Sequence, residues 1–137
     1  MAGWRLGFVV GNPEVVERIN LLNDQSRVGV FRPIQEAAIA ALTGPQESVA
    51  ERAATYERRR DRVLEVVDAV SEATFYVWFE LPAGLTVDGL LTEHRLALAP
   101  GEGFGRSGAG RARISLAVSD ETLELGLERL AGALDQT

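Results

Sequence analysis

The chain contains no cysteine, no lysine and one histidine in 137 residues. Without cysteine it forms no disulfide and performs no thiolate chemistry, and cysteine usage says nothing about compartment. With His94 as the lone imidazole, no structural zinc site is expected. Without lysine, a Walker-type phosphate loop is excluded. All 14 basic side chains are arginine, and 20 acidic residues outnumber them to give a net charge of -6. That balance argues against nucleic-acid binding, which needs a basic face to neutralise phosphates. No apolar stretch is long enough to span a bilayer, and the start lacks the basic and apolar segments of a signal peptide. The expectation is a cytoplasmic chain that keeps off the membrane.

What is present is a globular composition. The chain is 46% hydrophobic and 25% charged, enough for a core and far from the signature of disorder. Its length suits one domain, or one domain plus part of another.

Trp4, Leu6, Phe8 and Val10 alternate with Arg5, Gly7 and Val9, which predicts a strand over residues 4–10. Asn12-Pro13 reads as an N-cap followed by proline at the first helical position. Val15, Ile19 and Leu22 form the apolar stripe of a short helix. Pro33 opens a second helix, ending near Leu42 before the breaker Gly44-Pro45. Ser48-Val49-Ala50-Glu51 fits a capping box. Behind it Val49, Ala53, Tyr56, Arg60, Val63, Val67 and Val70 recur in steps of four and three, predicting a long amphipathic helix to about residue 70. Its basic run, Arg58-Arg59-Arg60 with Arg62, reads as a solvated or salt-bridged face.

Residues 73–79 are aromatic and β-branched, as in a strand buried on both faces, and Pro82 ends it. A short helix over 86–94 and a short strand over 96–99 follow. The glycine-rich stretch 101–110 is a loop. Residues 112–118 alternate again, with Ile114, Leu116 and Val118 opposite Arg113, Ser115 and Ala117. Ser119 or Asp120 caps a last helix carrying Leu123, Leu127, Leu130 and Leu134. The order β-α-α-α-β-α-β-β-α places the chain in the α/β class. The first strand has no neighbour close in sequence, so it either joins the later strands or belongs to a sheet the chain does not contain.

Gly103-Phe104-Gly105-Arg106-Ser107-Gly108 matches G-x-G-x-x-G. A dinucleotide fingerprint needs a helix after the glycines; a strand follows here, so the match carries no nucleotide site. Arg113 is set opposite an apolar face, and by alternation alone it is either exposed, ion-paired or aimed into a cleft. Arg5 is by the same reading a strand arginine at the surface. His94, ending a short helix, suits a contact with the helix dipole or plain exposure.

Four segments together resemble one family. Met1-Ala2-Gly3-Trp4-Arg5-Leu6-Gly7 is similar to the M-A-G-W-R-x-G segment of class I/II aminotransferases of fold type I, which use pyridoxal phosphate. Tyr56-Glu57-Arg58-Arg59-Arg60-Asp61 resembles the family's Y-x-x-R-R-D on the helix linking its two domains. Ala73-Thr74-Phe75-Tyr76-Val77-Trp78 resembles its small-domain strand. Pro100-Gly101, Phe104-Gly105 and Arg113-Ile114-Ser115-Leu116-Ala117 resemble its carboxy-terminal signature, P-G-x-x-F-G followed by R-I-S-[LF]-[AS].

The resemblance implies an aminotransferase-like C-terminal domain: a small sheet packed with helices in an α+β arrangement, preceded by a strand and two helices left from the large cofactor domain. Residues 1–44 would be that remnant, and 45–137 the connecting helix and small domain. Arg113 would bind the substrate carboxylate, since a planar guanidinium holds a carboxylate by two parallel bonds. Arg5 would contact the cofactor phosphate, with Gly7 leaving room for close approach.

The family's Schiff-base lysine stands eight positions before that arginine, in S-x-x-K, and counting back from Arg5 passes Met1. Pyridoxal 5'-phosphate therefore belongs to a complete enzyme and is not expected to attach covalently to this chain. The expected partners are an amino-acid or 2-oxo-acid substrate there, and a second copy of the chain or a complementing chain. Stretches 23–25 and 31–33 resemble succinyldiaminopimelate and related transaminases without naming one substrate. The other reading is a non-catalytic α/β module that oligomerises, or binds a small carboxylate or a protein partner.

Overall fold

The computed structural model describes residues 2–26, 29–69 and 71–136. It divides into two compact units, Met1–Ser48 and Val49–Thr137.

The first unit carries α1 (Pro13–Ser26) and α2 (Arg32–Thr43). Asn12 starts α1 as expected: its Oδ1 accepts from the Glu14 amide at 2.9 Å, and its carbonyl accepts from Val16 at 3.0 Å, which supplies partners to donors that the first turn leaves free. At the end of α2 the Gly44 amide donates to Ala40 O at 2.9 Å. Gln46 Nε2 then donates to the carbonyls of Ala41 and Gly44 at 3.0 and 2.8 Å, closing the last turn. Among the described residues of this unit none is buried. Val15, Leu21, Leu22, Ile39 and Leu42 are exposed, so these two helices enclose no core of their own.

Residues 4–10 do not form the expected strand. A short 3-10 helix covers Ala2–Trp4, and the chain then runs without regular structure to residue 10, with Phe8 and Val10 among its exposed side chains. The alternation is present, but among the described residues no strand pairs with it, and a strand without a ladder leaves its amides and carbonyls to water.

The second unit is built on a three-stranded antiparallel sheet of order β1-β3-β2, with β1 at Tyr76–Glu80, β2 at Ala99–Pro100 and β3 at Arg111–Ser115. Three helices accompany it: α3 (Glu47–Leu64), α4 (Val87–His94) and α5 (Asp120–Leu134). Val77 pairs with Ile114 and Phe79 with Ala112. These four are buried with Val63 of α3, Leu90 of α4, and Leu123, Leu127, Leu130 and Ala133 of α5. The helices thus cover one face of the sheet. Side chains directly opposite across an antiparallel pair share a face, so Trp78 and Arg113, which are partners in register, lie on the other.

The cap of α5 is at Ser119, one of the two expected residues, and Thr86 caps α4. Thr86 Oγ1 accepts from Gly89 N at 3.0 Å, and Ser119 Oγ from Thr122 N at 3.2 Å. The basic run of α3 is salt-bridged to α5. Arg58 and Arg59 reach the two carboxylate oxygens of Asp120 at 3.1 and 2.7 Å, and Arg59 also donates to Leu116 O at 2.9 Å. Arg62 grips Glu124 with both fork nitrogens at 3.0 and 2.7 Å and also pairs with Glu65.

Four expectations are corrected. Helix α3 begins at Glu47, so Ser48 lies inside its first turn and not ahead of it; a carboxylate at the helix start suits the dipole. That helix ends at Leu64, where the amides of Val66 and Val67 both turn back to Val63 O. The apolar period ran on because Val67 is buried beyond the helix end, while Val70 lies outside the described residues. Strand β1 begins at Tyr76, because Thr74 takes a left-handed φ of 72° that breaks the extended chain, and it is buried on one face only. Strand β2 lies at 99–100, later than the predicted 96–99.

Candidate carboxylate-binding site

The open face of the sheet gathers aromatic side chains around one cation. Tyr76 and Trp78 project from β1, Arg113 from β3, and Phe104 from the loop between β2 and β3. The Arg113 Cζ lies over the Tyr76 ring at 4.0 Å and over the Phe104 ring at 4.3 Å. Phe104 in turn meets Trp78 edge-on, with centroids 5.5 Å apart and planes at 82°. A guanidinium over aromatic faces is attracted by the ring quadrupole while its N–H groups stay available at the edge.

Arg113 is half-buried, and among the described residues no carboxylate lies within ion-pair distance of it. That contrasts with Arg58, Arg59, Arg60 and Arg62, each held by an acidic side chain. Even its strand neighbour Arg111 has Glu80 at 3.7 Å. In a chain with six more acids than bases, Arg113 is a partly buried arginine without an acidic partner among the described residues.

The loop that brings Phe104 there is tightly built. Residues Gly101–Phe104 and Arg106–Gly108 form two 3-10 turns, joined at Gly105 with φ 123°. Glu102 Oε1 accepts from Gly110 N at 3.3 Å. Gly101 and Gly108 are buried against each other: a Cβ on Gly108 would stand 1.9 Å from Gly101 O, and one on Gly101 2.1 Å from Gly108 O. Only glycine allows that approach. The G-x-G-x-x-G match therefore lies in turns leading to β3, with no helix N-terminus to receive a pyrophosphate.

Arg5 belongs to the first unit and Arg113 to the second. Arg5 is exposed at φ 55°. It lines a cavity of about 240 Å³ with Trp4, Leu6, Gly7, Asn23 and Asp24 among others. A Cβ on Gly7 would meet nothing within 4 Å. His94 is the last residue of α4 and half-buried.

Sequence reasoning did not pick out Tyr76, Trp78 or Phe104 as part of the site. The signal was available: Tyr76 and Trp78 share a parity on β1, and Phe104 sits inside the P-G-x-x-F-G segment.

A family model described as Aminotransferase class I and II matches residues 1–130. The chain belongs to this family. Its fold is that of an aminotransferase C-terminal domain, and solved aminotransferases superpose on it along almost its full length. An aromatic aminotransferase from Pyrococcus horikoshii OT3 aligns with a TM-score of 0.84 at 33% identity, over 99% of this chain and 40% of that one. Among curated relatives, the LL-diaminopimelate aminotransferase of Moorella thermoacetica is 38% identical over 98% of this chain. The L-glutamine--4-(methylsulfanyl)-2-oxobutanoate aminotransferase of Bacillus subtilis is 41% identical over 95% of it. The chain spans 37% and 35% of those two relatives.

The family implies pyridoxal phosphate in the full enzyme, and the residues of this aminotransferase chain fit that cofactor only in part. An exposed arginine beside an open glycine backbone suits the phosphate end. The aldehyde end needs a side-chain amine, and the sequence has no lysine. Covalent attachment therefore does not fit this chain. Among the described residues no helix is long and apolar enough to cross a membrane, and no group of three or more His, Cys, Asp or Glu side chains is placed to hold a metal ion.

Proposed function

We propose that this chain is the substrate-clamping part of a pyridoxal-phosphate-dependent aminotransferase, which moves an amino group between an amino acid and a 2-oxo acid. In this reading residues 1–44 belong to the large cofactor domain, and 45–137 comprise the connecting helix and small domain. Arg113 receives the substrate α-carboxylate and Arg5 the cofactor phosphate. The amine that carries the cofactor comes from polypeptide outside these residues, upstream or on a complementing chain, and the working enzyme is a homodimer.

The observation that carries the reading is Arg113: a guanidinium resting on two rings, on the open sheet face, with no acidic partner among the described residues. Its position in R-I-S-L-A is the second support. The relatives' printed substrates differ in their side chains, while every α-amino acid shares the α-carboxylate. A fixed arginine reads that shared group and leaves side-chain choice to other residues. When bound, the cofactor supplies the electron sink and the protein supplies orientation and charge. This chain's own contribution is to bind and orient the carboxylate.

The test fuses this chain behind the corresponding upstream part of the Moorella thermoacetica relative. The fusion should transfer amino groups, and Arg113→Gln in it should lower kcat/KM by about 10²-fold or more, because two charge-assisted bonds are lost, with the cofactor absorbance unchanged. An Arg113→Gln fusion with unaltered kcat/KM would overturn the assignment. The chain alone, given pyridoxal phosphate and amino donor, should show no transfer above that of the free cofactor.

A further inference from the structure

We propose that Phe104 and Tyr76 are positioning residues for Arg113, and that the crossing of Gly101 over Gly108 keeps Phe104 on the guanidinium. The proposal rests on the reading that Arg113 receives a carboxylate. An arginine side chain has many rotamers, and a ligand that must first freeze them binds more weakly. Here both rings already hold the Cζ, at 4.0 and 4.3 Å. With its Cζ over two aromatic rings, the guanidinium is held in place, and its N–H groups can bind a carboxylate in plane.

Tyr76 is fixed by its strand, since its position pairs with Ser115 of β3. Phe104 is not fixed by burial, being 52% exposed. What holds it is its own loop. The Gly105 amide closes onto Glu102 O at 3.2 Å and the Gly108 amide onto Gly105 O at 2.9 Å. The glycine crossing then ties the two ends of the loop together. Trp78 supports the ring edge-on from β1. Each contact acts on Phe104, and through it on Arg113.

The experiment is 15N–1H NMR of the arginine side chains in the full chain, with acetate as the carboxylate probe. The expected result is an ordered Arg113 Nε–H in the free chain that shifts on adding acetate. Phe104→Leu should lose that order and bind acetate about two- to tenfold more weakly, with an unchanged backbone spectrum. Phe104→Tyr, which keeps the ring, should match the wild type. Acetate binding to Phe104→Leu as tightly as to the wild type would overturn this proposal and leave the carboxylate reading standing. Failure of Phe104→Tyr to restore the order would also overturn it. No acetate response at Arg113 in the wild type would overturn the carboxylate reading, and this proposal with it.

Discussion

Gly108→Ala is the perturbation that discriminates best, because its control lies in the same loop. A methyl on Gly108 would stand 1.9 Å from Gly101 O, 2.4 Å from Gly101 C and 3.1 Å from Gly101 Cα. All three are backbone atoms, so no side chain can rotate away and the loop itself must move. Overpacking of this kind costs about 1–3 kcal/mol, more where the backbone is displaced. Gly103 sits in the adjacent 3-10 turn, and a Cβ there meets nothing within 4 Å. Alanine at Gly103 should be neutral or stabilise by about 0.4–1 kcal/mol, through lower entropy of the unfolded chain. The two variants should therefore differ by about 1–4 kcal/mol. At a urea m-value of about 2 kcal/mol/M, the midpoints should separate by roughly 0.5–2 M. Tryptophan fluorescence reads the transition, with Trp78 reporting on the site face. Equal midpoints for the two variants would refute the glycine crossing as a structural tie.

Three further outcomes follow from other parts of the fold. Thr74 holds a β-branched side chain at φ 72°, a conformation that costs about 1–3 kcal/mol; its Oγ1 also accepts from Tyr76 N at 3.2 Å. Thr74→Asn tolerates that φ and keeps an acceptor two residues before the donor, so it should raise the urea midpoint, and an unchanged or lower midpoint would count against the strain. Hydrogen bonds from Arg59, reinforced by the charges of Arg59 and Arg58, hold the Asp120 carboxyl below its ordinary range, and Arg62 does the same to Glu124. With folded values lowered, this stabilisation is present above the ordinary carboxylate pKa of about 4 and lost as pH falls through the lowered values. Asp120→Asn should therefore lower the midpoint at pH 6 and flatten its decline towards pH 3; a decline as steep as the wild type's would contradict the clasp. Ser119→Ala removes the acceptor for Thr122 N and should cost about 1 kcal/mol, read as a lower thermal midpoint.

Much of the second unit was legible in the sequence because local signals and packing agree there. The stripe Leu123, Leu127, Leu130 repeats at helical spacing and is buried as a set, and Ser119 caps the helix that carries it. Arg58 to Arg62 read correctly as a salt-bridged face, although nothing local names Asp120 and Glu124, more than fifty residues away, as partners. Two of the misreadings come from periodicity taken alone. Alternation at residues 4–10 states a preference for strand, but a strand also needs a neighbour, and periodicity is blind to whether one exists. Likewise the apolar spacing ran on to Val67 across a turn, because Val67 is buried after the helix stops. At the site, Arg113 could be placed by alternation and by its motif. The rings around it could not, since Phe104 reaches the cation through a loop whose path depends on two glycines touching.

In the proposed function this chain carries the arginine side of an aminotransferase site, and the cofactor-bearing amine lies outside it. The coding DNA immediately upstream of the Met1 codon tests it most directly. An in-frame S-x-x-K with its lysine codon eight before that of Arg5 is the predicted result. A stop codon or an unrelated sequence at that place would contradict it.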